Sequence, residues 1–151
     1  MVDVGDRAPG FALKDQNNQL VSLAGFHGRR AVLLVFYPYA FTRVCGGELR
    51  AVQADLAAFQ NDDVQILTVS VDTPYAHRVW AEQEGFGFPL LADFWPHGAV
   101  AQAYGCFDDA KGCATRGTYA IDKEGVVRWR EVLTVPEARD VAAWRRVLGE
   151  L

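Results

Sequence analysis

The stretch Ala31-Val32-Leu33-Leu34-Val35-Phe36-Tyr37-Pro38-Tyr39-Ala40-Phe41-Thr42-Arg43-Val44-Cys45 decides how the middle of the chain folds. Its first part, Ala31 to Tyr37, is short, apolar and rich in branched side chains, which predicts a strand covered on both faces and ended by Pro38. Past Cys45, apolar residues recur at steps of three and four: Leu49, Val52, Leu56 and Phe59. This period predicts a helix that begins near Thr42, so that Cys45 lies in its first turn.

Cys45 therefore occupies a position that favours a negatively charged sulfur. The first turn of a helix has backbone N–H groups without intrahelical acceptors and carries the positive end of the helix dipole, and both stabilise a thiolate. We therefore expect Cys45 to be reactive. The alternative is a buried structural cysteine, which is common among free thiols.

Runs typical of strands alternate with runs typical of helices along the rest of the chain. The Cys45 helix is followed by a predicted strand over Val64 to Val71 and a predicted helix from about Pro74 to Glu84. Pro74 suits the first turn of that helix, and Gly85 suits its end. A strand, a helix and a second strand in this order predict a βαβ unit and a parallel sheet core.

Shorter patterns complete the predicted topology. They are a hairpin within 11–23, a helix over 99–104 followed by a loop rich in glycine and aspartate, strands over 118–122 and 126–132 joined by a turn at 123–125, and a helix over 136–148. The sequence shows neither an internal repeat nor a linker. It therefore predicts one domain over 1–151.

Composition and charge narrow the classes of function. Half of the residues are hydrophobic, 23% are charged and the formal net charge is −4, so the chain lacks the basic character of a nucleic-acid-binding protein. No apolar run approaches the ~18 residues of a membrane span and no signal-peptide pattern is present, so we expect a cytoplasmic protein without a membrane partner. The three cysteines include no Cys-x-x-Cys pair and the three histidines stand singly, which argues against a disulfide framework and a metal site.

The pattern Pro38-x-x-x-Thr42-x-x-Cys45, together with Arg116 in Thr115-Arg116-Gly117-Thr118-Tyr119, resembles the peroxiredoxins, thiol peroxidases of the thioredoxin superfamily. Segments 36–42, 86–91 and 93–100 are most similar to the one-cysteine alkyl hydroperoxide reductase E (AhpE) subfamily. The resemblance implies an α/β thioredoxin-like fold, with a mixed central sheet flanked by helices and an N-terminal β-hairpin extension. It also implies a cofactor-free peroxidase that reduces hydrogen peroxide and organic hydroperoxides at Cys45.

Four residues carry the chemistry that the resemblance implies. Cys45 attacks the peroxide and becomes a sulfenic acid, and Pro38 shields the thiolate from water. Thr42 holds a peroxide oxygen through its hydroxyl, although a helix N-cap alone is the other interpretation of this threonine. Arg116 supplies a permanent positive charge that favours the thiolate and polarises the peroxide; without the resemblance it would be interpreted as a solvated surface residue.

Further residues support this site in the family. Backbone N–H groups of Val44 and Cys45 complete an oxyanion pocket, and Glu48 orients Arg116, unless Glu48 is an ordinary first-turn acid. The residues expected to edge the pocket or to contribute to substrate binding are Tyr39, Phe41, Val44 and Trp95. For Trp95 the resemblance implies a place near the active site or a dimer contact, and an aromatic core residue is the alternative.

Cys106 and Cys113 leave the route of recycling open. Some relatives carry an internal resolving cysteine five residues after the nucleophile, but Arg50 stands there, which excludes that route. Either Cys106 or Cys113 resolves the sulfenic acid, the two pair with each other, or both are incidental buried thiols. The remaining route is an external reductant, by resemblance a low-molecular-weight thiol such as mycothiol, a mycoredoxin or thioredoxin.

Other functions use the same cysteine. A redox sensor or relay, or a holdase-like oligomer, would form the sulfenic acid without efficient turnover. A thiol-disulfide oxidoreductase on the same scaffold is weakened by the absence of Cys-x-x-Cys, and a specialised biosynthetic relative stays open because fold does not fix function. The resemblance also implies a homodimer, with a higher oligomer as the alternative.

Overall fold

The computed structural model describes all 151 residues, Met1–Leu151. Its strands are β1 (Ala12–Lys14), β2 (Leu20–Ser22), β3 (Ala31–Phe36), β4 (Val64–Ser70), β5 (Leu90–Ala92), β6 (Phe107–Asp108), β7 (Cys113–Ala114), β8 (Arg116–Ile121) and β9 (Val127–Leu133). Its helices are α1 (Arg43–Ala54), α2 (Leu56–Phe59), α3 (Pro74–Glu84), α4 (Ala99–Tyr104) and α5 (Val141–Gly149), with a 3-10 turn at Leu23–Phe26. None of these helices has the length and apolar character needed to cross a bilayer.

A seven-stranded sheet in the order β2-β1-β5-β4-β3-β8-β9 forms the centre of the fold, and β6 pairs with β7 separately. Strand β3 runs parallel to β4 and antiparallel to β8, so the sheet is mixed. Strands β1 and β2 form an antiparallel hairpin that joins the sheet through Lys14 and Ala92. These features confirm the thioredoxin-like α/β fold and the N-terminal hairpin extension.

All six residues of β3 are buried, because helices cover both faces of the sheet. Its side chains alternate between two cores. Leu33 and Val35 pack with Cys45 and the α5 residue Trp144 in one core. The intervening positions, Val32, Leu34 and Phe36, pack in the other core. Cys45 therefore lies on the α1 and α5 side of the sheet.

The predicted helices at 74–84 and 99–104 are confirmed with the same bounds. The apolar face predicted to continue from Cys45 to Phe59 is interrupted at Asp55, whose backbone leaves helical geometry, so that α2 is a separate turn. The last helix was predicted from Pro136 but begins only at Val141, after Asp140 caps it by accepting the Ala142 N–H. Contacts made by the preceding residue, Arg139, explain this late start and are described below.

Candidate active site

Cys45 lies in the first turn of α1 and is fully buried. Its sulfur accepts a hydrogen bond from Arg116, with Nη1 3.3 Å from Sγ. The sheet brings the two residues together, because β8 begins at Arg116 and pairs with β3 up to Val35, next to the end of β3 from which the chain leads into α1. Arg116 is itself only 3% exposed, so it is not a solvated surface arginine.

A buried cluster of charges surrounds this contact. Oε1 of Glu48 accepts from Arg116 Nη1 at 3.1 Å and from Arg139 Nη2 at 2.8 Å. Oε2 of Glu48 accepts from the backbone N–H and Nε of Arg139 at 2.9 and 3.0 Å. Arg116 is fixed from its other side, because its Nε donates to Val135 O at 2.7 Å. Glu48 is therefore a buried partner of two arginines and not a solvated first-turn acid.

The charges of this cluster do not cancel without the cysteine. Two guanidinium groups and one carboxylate leave one net positive charge in a region where all three side chains are at most 4% exposed. A thiolate at Cys45, in contact with Arg116, brings the sum to zero. Cys45 Sγ therefore lies beside a buried guanidinium whose charge the single carboxylate of the cluster does not fully offset.

Arg139 is the residue that sequence reasoning missed. Its Nη1 also donates to Phe36 O, Gly117 O and Thr118 Oγ1 at 2.8, 3.3 and 3.0 Å. These contacts anchor the segment before α5 to β3 and β8. No motif surrounds Arg139, and its sequence context resembles that of the exposed arginines in α5. The indirect signal for it in the sequence was Glu48, an acidic residue on the apolar side of α1 that needs a buried positive partner.

Thr42 occupies the N-cap position of α1, but its side chain makes no cap hydrogen bond. Its hydroxyl donates to Tyr39 O at 2.8 Å, which leaves the oxygen lone pairs free to accept a hydrogen bond from a ligand. The first helical hydrogen bond runs from Gly46 N to Thr42 O. The N–H groups of the three residues between them, Val44 and Cys45 included, have no acceptor within the chain.

Residues 4–130 match the model of the AhpC/TSA family. The chain belongs to this family of peroxiredoxins. It is 50% identical over 151 residues to alkyl hydroperoxide reductase E of Mycobacterium tuberculosis, covering 100% of this chain and 99% of the relative. Among solved structures it is similar to the reduced 2-Cys peroxiredoxin of Plasmodium vivax (TM-score 0.88, 30% identity, 99% of this chain and 81% of that chain) and to Enterococcus faecalis AhpC (TM-score 0.89, 28% identity, 99% and 92%). The predicted resemblance to peroxiredoxins of the AhpE type is thereby confirmed.

A groove of about 420 Å³ adjoins the peroxiredoxin motif. Val44, Glu48 and Arg139 line it, together with Gly47, Ala51, Ala138 and residues 140–142. Pro38 is buried, whereas Tyr39, Phe41 and Val44 are partly exposed around the Cys45 turn. Tyr39 also donates from its hydroxyl to Lys111 O at 2.9 Å, which ties the motif to the turn before β7.

Trp95 lies in a different part of the molecule from the groove. It is 80% exposed and lines an apolar hollow with Phe94, Leu13, Leu20 and Pro74. Trp95 is therefore not a core residue. Its assignment to substrate binding remains a prediction, because the hollow shares no residue with the groove beside Cys45.

The two further cysteines differ in their relation to Cys45. Cys106 packs in the core on the opposite side of the sheet, where burial raises its pKa to about 12. Cys113 is buried in β7, three residues before Arg116. Burial raises the pKa of Cys113.

A second polar cluster lies beneath the motif and consists of Ser70, Asp72 and His77. Asp72 Oδ2 accepts the backbone N–H of Ala40 at 2.8 Å and the hydroxyl of Ser70 at 2.6 Å. His77 Nε2 is 2.7 Å from Ser70 Oγ and 3.1 Å from the hydroxyl of Tyr37. His77 is completely buried, and its Nδ1 has no hydrogen-bond partner. Burial lowers its pKa to about 4, against an opposing effect of Asp72.

We predict that His77 makes folding stability sensitive to acid. An unfolded histidine takes up a proton near pH ~6.5, whereas folded His77 does so only near 4. Protons therefore favour the unfolded chain between these values, and the free energy of unfolding falls by about 3 kcal/mol as the pH drops through this window. Urea denaturation at about pH 7 and about pH 4.5 measures the loss, which should be about 2 kcal/mol smaller in His77→Gln. Equal losses in both proteins would contradict this prediction.

Proposed function

We propose that the protein is a thiol-dependent peroxidase that reduces hydrogen peroxide and organic hydroperoxides at Cys45. The observation that carries this proposal is the 3.3 Å contact between Arg116 Nη1 and Cys45 Sγ within the buried Glu48 and Arg139 cluster. Membership of the peroxiredoxin family supports the same activity. The proposed roles of Pro38 and Thr42 are to exclude water and to orient the peroxide.

The first step follows from the donors and acceptors around the sulfur. The thiolate attacks one peroxide oxygen, so that an S–O bond forms while the O–O bond breaks. The electron pair of that bond leaves on the second oxygen, which takes up a proton to become an alcohol or water. Arg116 and the free N–H groups of Val44 and Cys45 stabilise this developing charge. Thr42 Oγ1 accepts a hydrogen bond from the hydroperoxide O–H, because its own hydroxyl already donates to Tyr39 O.

The second step returns the sulfenic acid to the thiol. We propose an external reductant: one thiol displaces water to give a mixed disulfide, and a second thiol releases Cys45. Cys106 is separated from Cys45 by the sheet, and all three cysteines are free. The reductant is proposed to be a low-molecular-weight thiol, a mycoredoxin or thioredoxin. Cys113 is the internal alternative, because it begins β7 two residues after Lys111, whose carbonyl accepts from the Tyr39 hydroxyl of the motif.

We further propose that the enzyme is a cytoplasmic homodimer. Three free thiols suit a reducing compartment. The hollow that includes Phe94 and Trp95, with the exposed Leu20 beside it, is an apolar surface of the kind that subunit contacts cover. Assembly through this surface would place the Trp95 segment in the dimer contact that the family resemblance implies.

Intact-protein mass spectrometry after one equivalent of hydroperoxide tests the route. We expect the mass to increase by one oxygen atom, equally in wild type, Cys106→Ala and Cys113→Ala, and to return to its starting value when an external thiol is added. A loss of two hydrogens in wild type that disappears in Cys113→Ala would replace the external route by an internal disulfide. With excess thiol, consumption of many equivalents of peroxide supports the enzyme, whereas arrest after one equivalent supports a redox relay.

A further inference from the structure

The loop Pro38–Thr42 is held in a strained conformation at Phe41. This residue has φ +65°, in the left-handed region that bulky side chains rarely adopt. Such a conformation is unfavourable for a bulky side chain and persists only where the surroundings fix it. The next residue is Thr42, so the direction of the Phe41 peptides sets where the Thr42 hydroxyl lies. Whatever holds this loop also determines the geometry offered to the peroxide.

We propose that Asp72 is a positioning residue for the peroxide step, holding the loop that carries Thr42 through the Ala40 N–H. This inference rests on the proposed function, and no structural contact joins Asp72 to Cys45 directly. The carboxylate is the only acceptor of the Ala40 N–H, at 2.8 Å, two residues before Thr42. Three other contacts flank the same loop: the Phe41 ring against Trp80, the Thr42 hydroxyl to Tyr39 O, and the Tyr39 hydroxyl to Lys111 O.

The direction of the hydrogen bonds shows that Asp72 is itself fixed. The carboxylate accepts the Ala40 N–H and carries no proton of its own to donate, so Ser70 must give its single hydroxyl proton to Asp72 Oδ2 at 2.6 Å. Ser70 Oγ must then accept at its 2.7 Å contact with His77, which places the proton of the neutral ring on Nε2.

A continuous chain therefore leads from His77 Nε2–H to Ser70 Oγ–H to Asp72 Oδ2, which also receives the Ala40 N–H. Asp72 Oδ2 accepts from both Ser70 and Ala40, and these two hydrogen bonds orient the carboxylate. Ser70 ends β4 and His77 lies in α3. These hydrogen bonds therefore connect the loop to two rigid elements of the fold. Removal of the carboxylate leaves the Ala40 N–H without its acceptor and allows the strain at Phe41 to relax.

The test compares two reactions of the same sulfur in Asp72→Ala. We expect the rate constant of Cys45 oxidation by hydroperoxide, followed by stopped-flow tryptophan fluorescence, to fall about 10–100-fold, as for a lost orienting contact. Alkylation by iodoacetamide does not use the Thr42 hydroxyl and should change less than about threefold. Asp72→Asn keeps an acceptor oxygen and should restore most of the peroxide rate. Asp62→Ala, at an exposed aspartate, is the matched control and should match wild type.

A double-mutant cycle identifies the residue through which Asp72 acts. If Asp72 acts by positioning Thr42, Asp72→Ala should slow the peroxide reaction much less in a Thr42→Val background than in the wild-type background. Should Asp72→Ala fold poorly, Ser70→Ala removes the bond that orients the carboxylate and is expected to slow peroxide selectively by several-fold. If the two substitutions slow the peroxide reaction additively, or if Asp72→Ala slows peroxide oxidation and alkylation equally, the proposed role of Asp72 is overturned while the proposed peroxidase function stands. A Thr42→Val protein that reacts at the wild-type rate would overturn the role of Thr42 in the proposed function as well.

Discussion

Cys45→Ser is expected to lose hydroperoxide consumption by a factor on the order of 10³ or more, because an alcohol at this position is neither ionised nor a comparable nucleophile. The substitution changes one buried atom, so the fold should be retained. The rate at which peroxide is consumed in the presence of excess external thiol measures the effect. Circular dichroism and the unfolding midpoint establish that the loss is chemical.

Cys106→Ala provides the matched control for this prediction. It removes an equally buried thiol from the opposite side of the sheet and should consume peroxide at the wild-type rate. Peroxidase activity of wild-type magnitude in Cys45→Ser would reject Cys45 as the nucleophile. Loss of activity in both variants to the same extent would point to general damage to the fold.

Glu48→Gln is expected to lower the free energy of unfolding by about 3–5 kcal/mol, the range observed when one partner of a buried ion pair is removed. The two carboxylate oxygens accept four N–H groups from Arg116 and Arg139. A glutamine must turn its NH₂ group toward donors on one side, and it leaves two buried guanidinium groups without their carboxylate. Urea denaturation monitored by tryptophan fluorescence measures the change.

Glu84→Gln is the corresponding control at the surface. Glu84 pairs with Arg50 at 3.1 Å, but the two side chains are 27% and 51% exposed, so the loss should be below about 1 kcal/mol. If Glu48→Gln were as mild as Glu84→Gln, the cluster would not be the stabilising centre that its geometry indicates. We also expect Glu48→Gln to slow peroxide reduction, since Arg116 loses the group that orients it.

Local signals predicted the elements with well-marked ends. Pro74 starts α3, with Thr73 capping it by accepting from Ala76 N, and Gly85 ends it in the left-handed conformation; the sequence alone therefore placed both bounds. Strand β5 was missed, because three residues are too few to show a period and its pairing is set by β4 and β1. The break at Asp55 was also missed, since the apolar spacing continues across it.

The site was predictable where a motif exists and unpredictable where only tertiary contact reveals a residue. Cys45 was singled out by helix position, whereas the roles of Thr42 and Arg116 depended on the family resemblance. Nothing in the sequence distinguishes Arg139, which lies outside the residues 4–130 matched to the family, from an exposed arginine. Asp72 likewise follows an ordinary strand, and its link to Ala40 appears only when the strand and the loop are brought together.

The dependence of Glu48 on Arg139 has a consequence for the biosynthesis of the enzyme. Cys45 leaves the ribosome early, whereas the arginine that completes its charged surroundings is translated almost a hundred residues later. While the polypeptide is still being elongated, the sulfur has the surroundings of an ordinary cysteine. We therefore expect the Cys45 thiol to react with peroxide at the slow rate of an ordinary cysteine until the C-terminal segment docks.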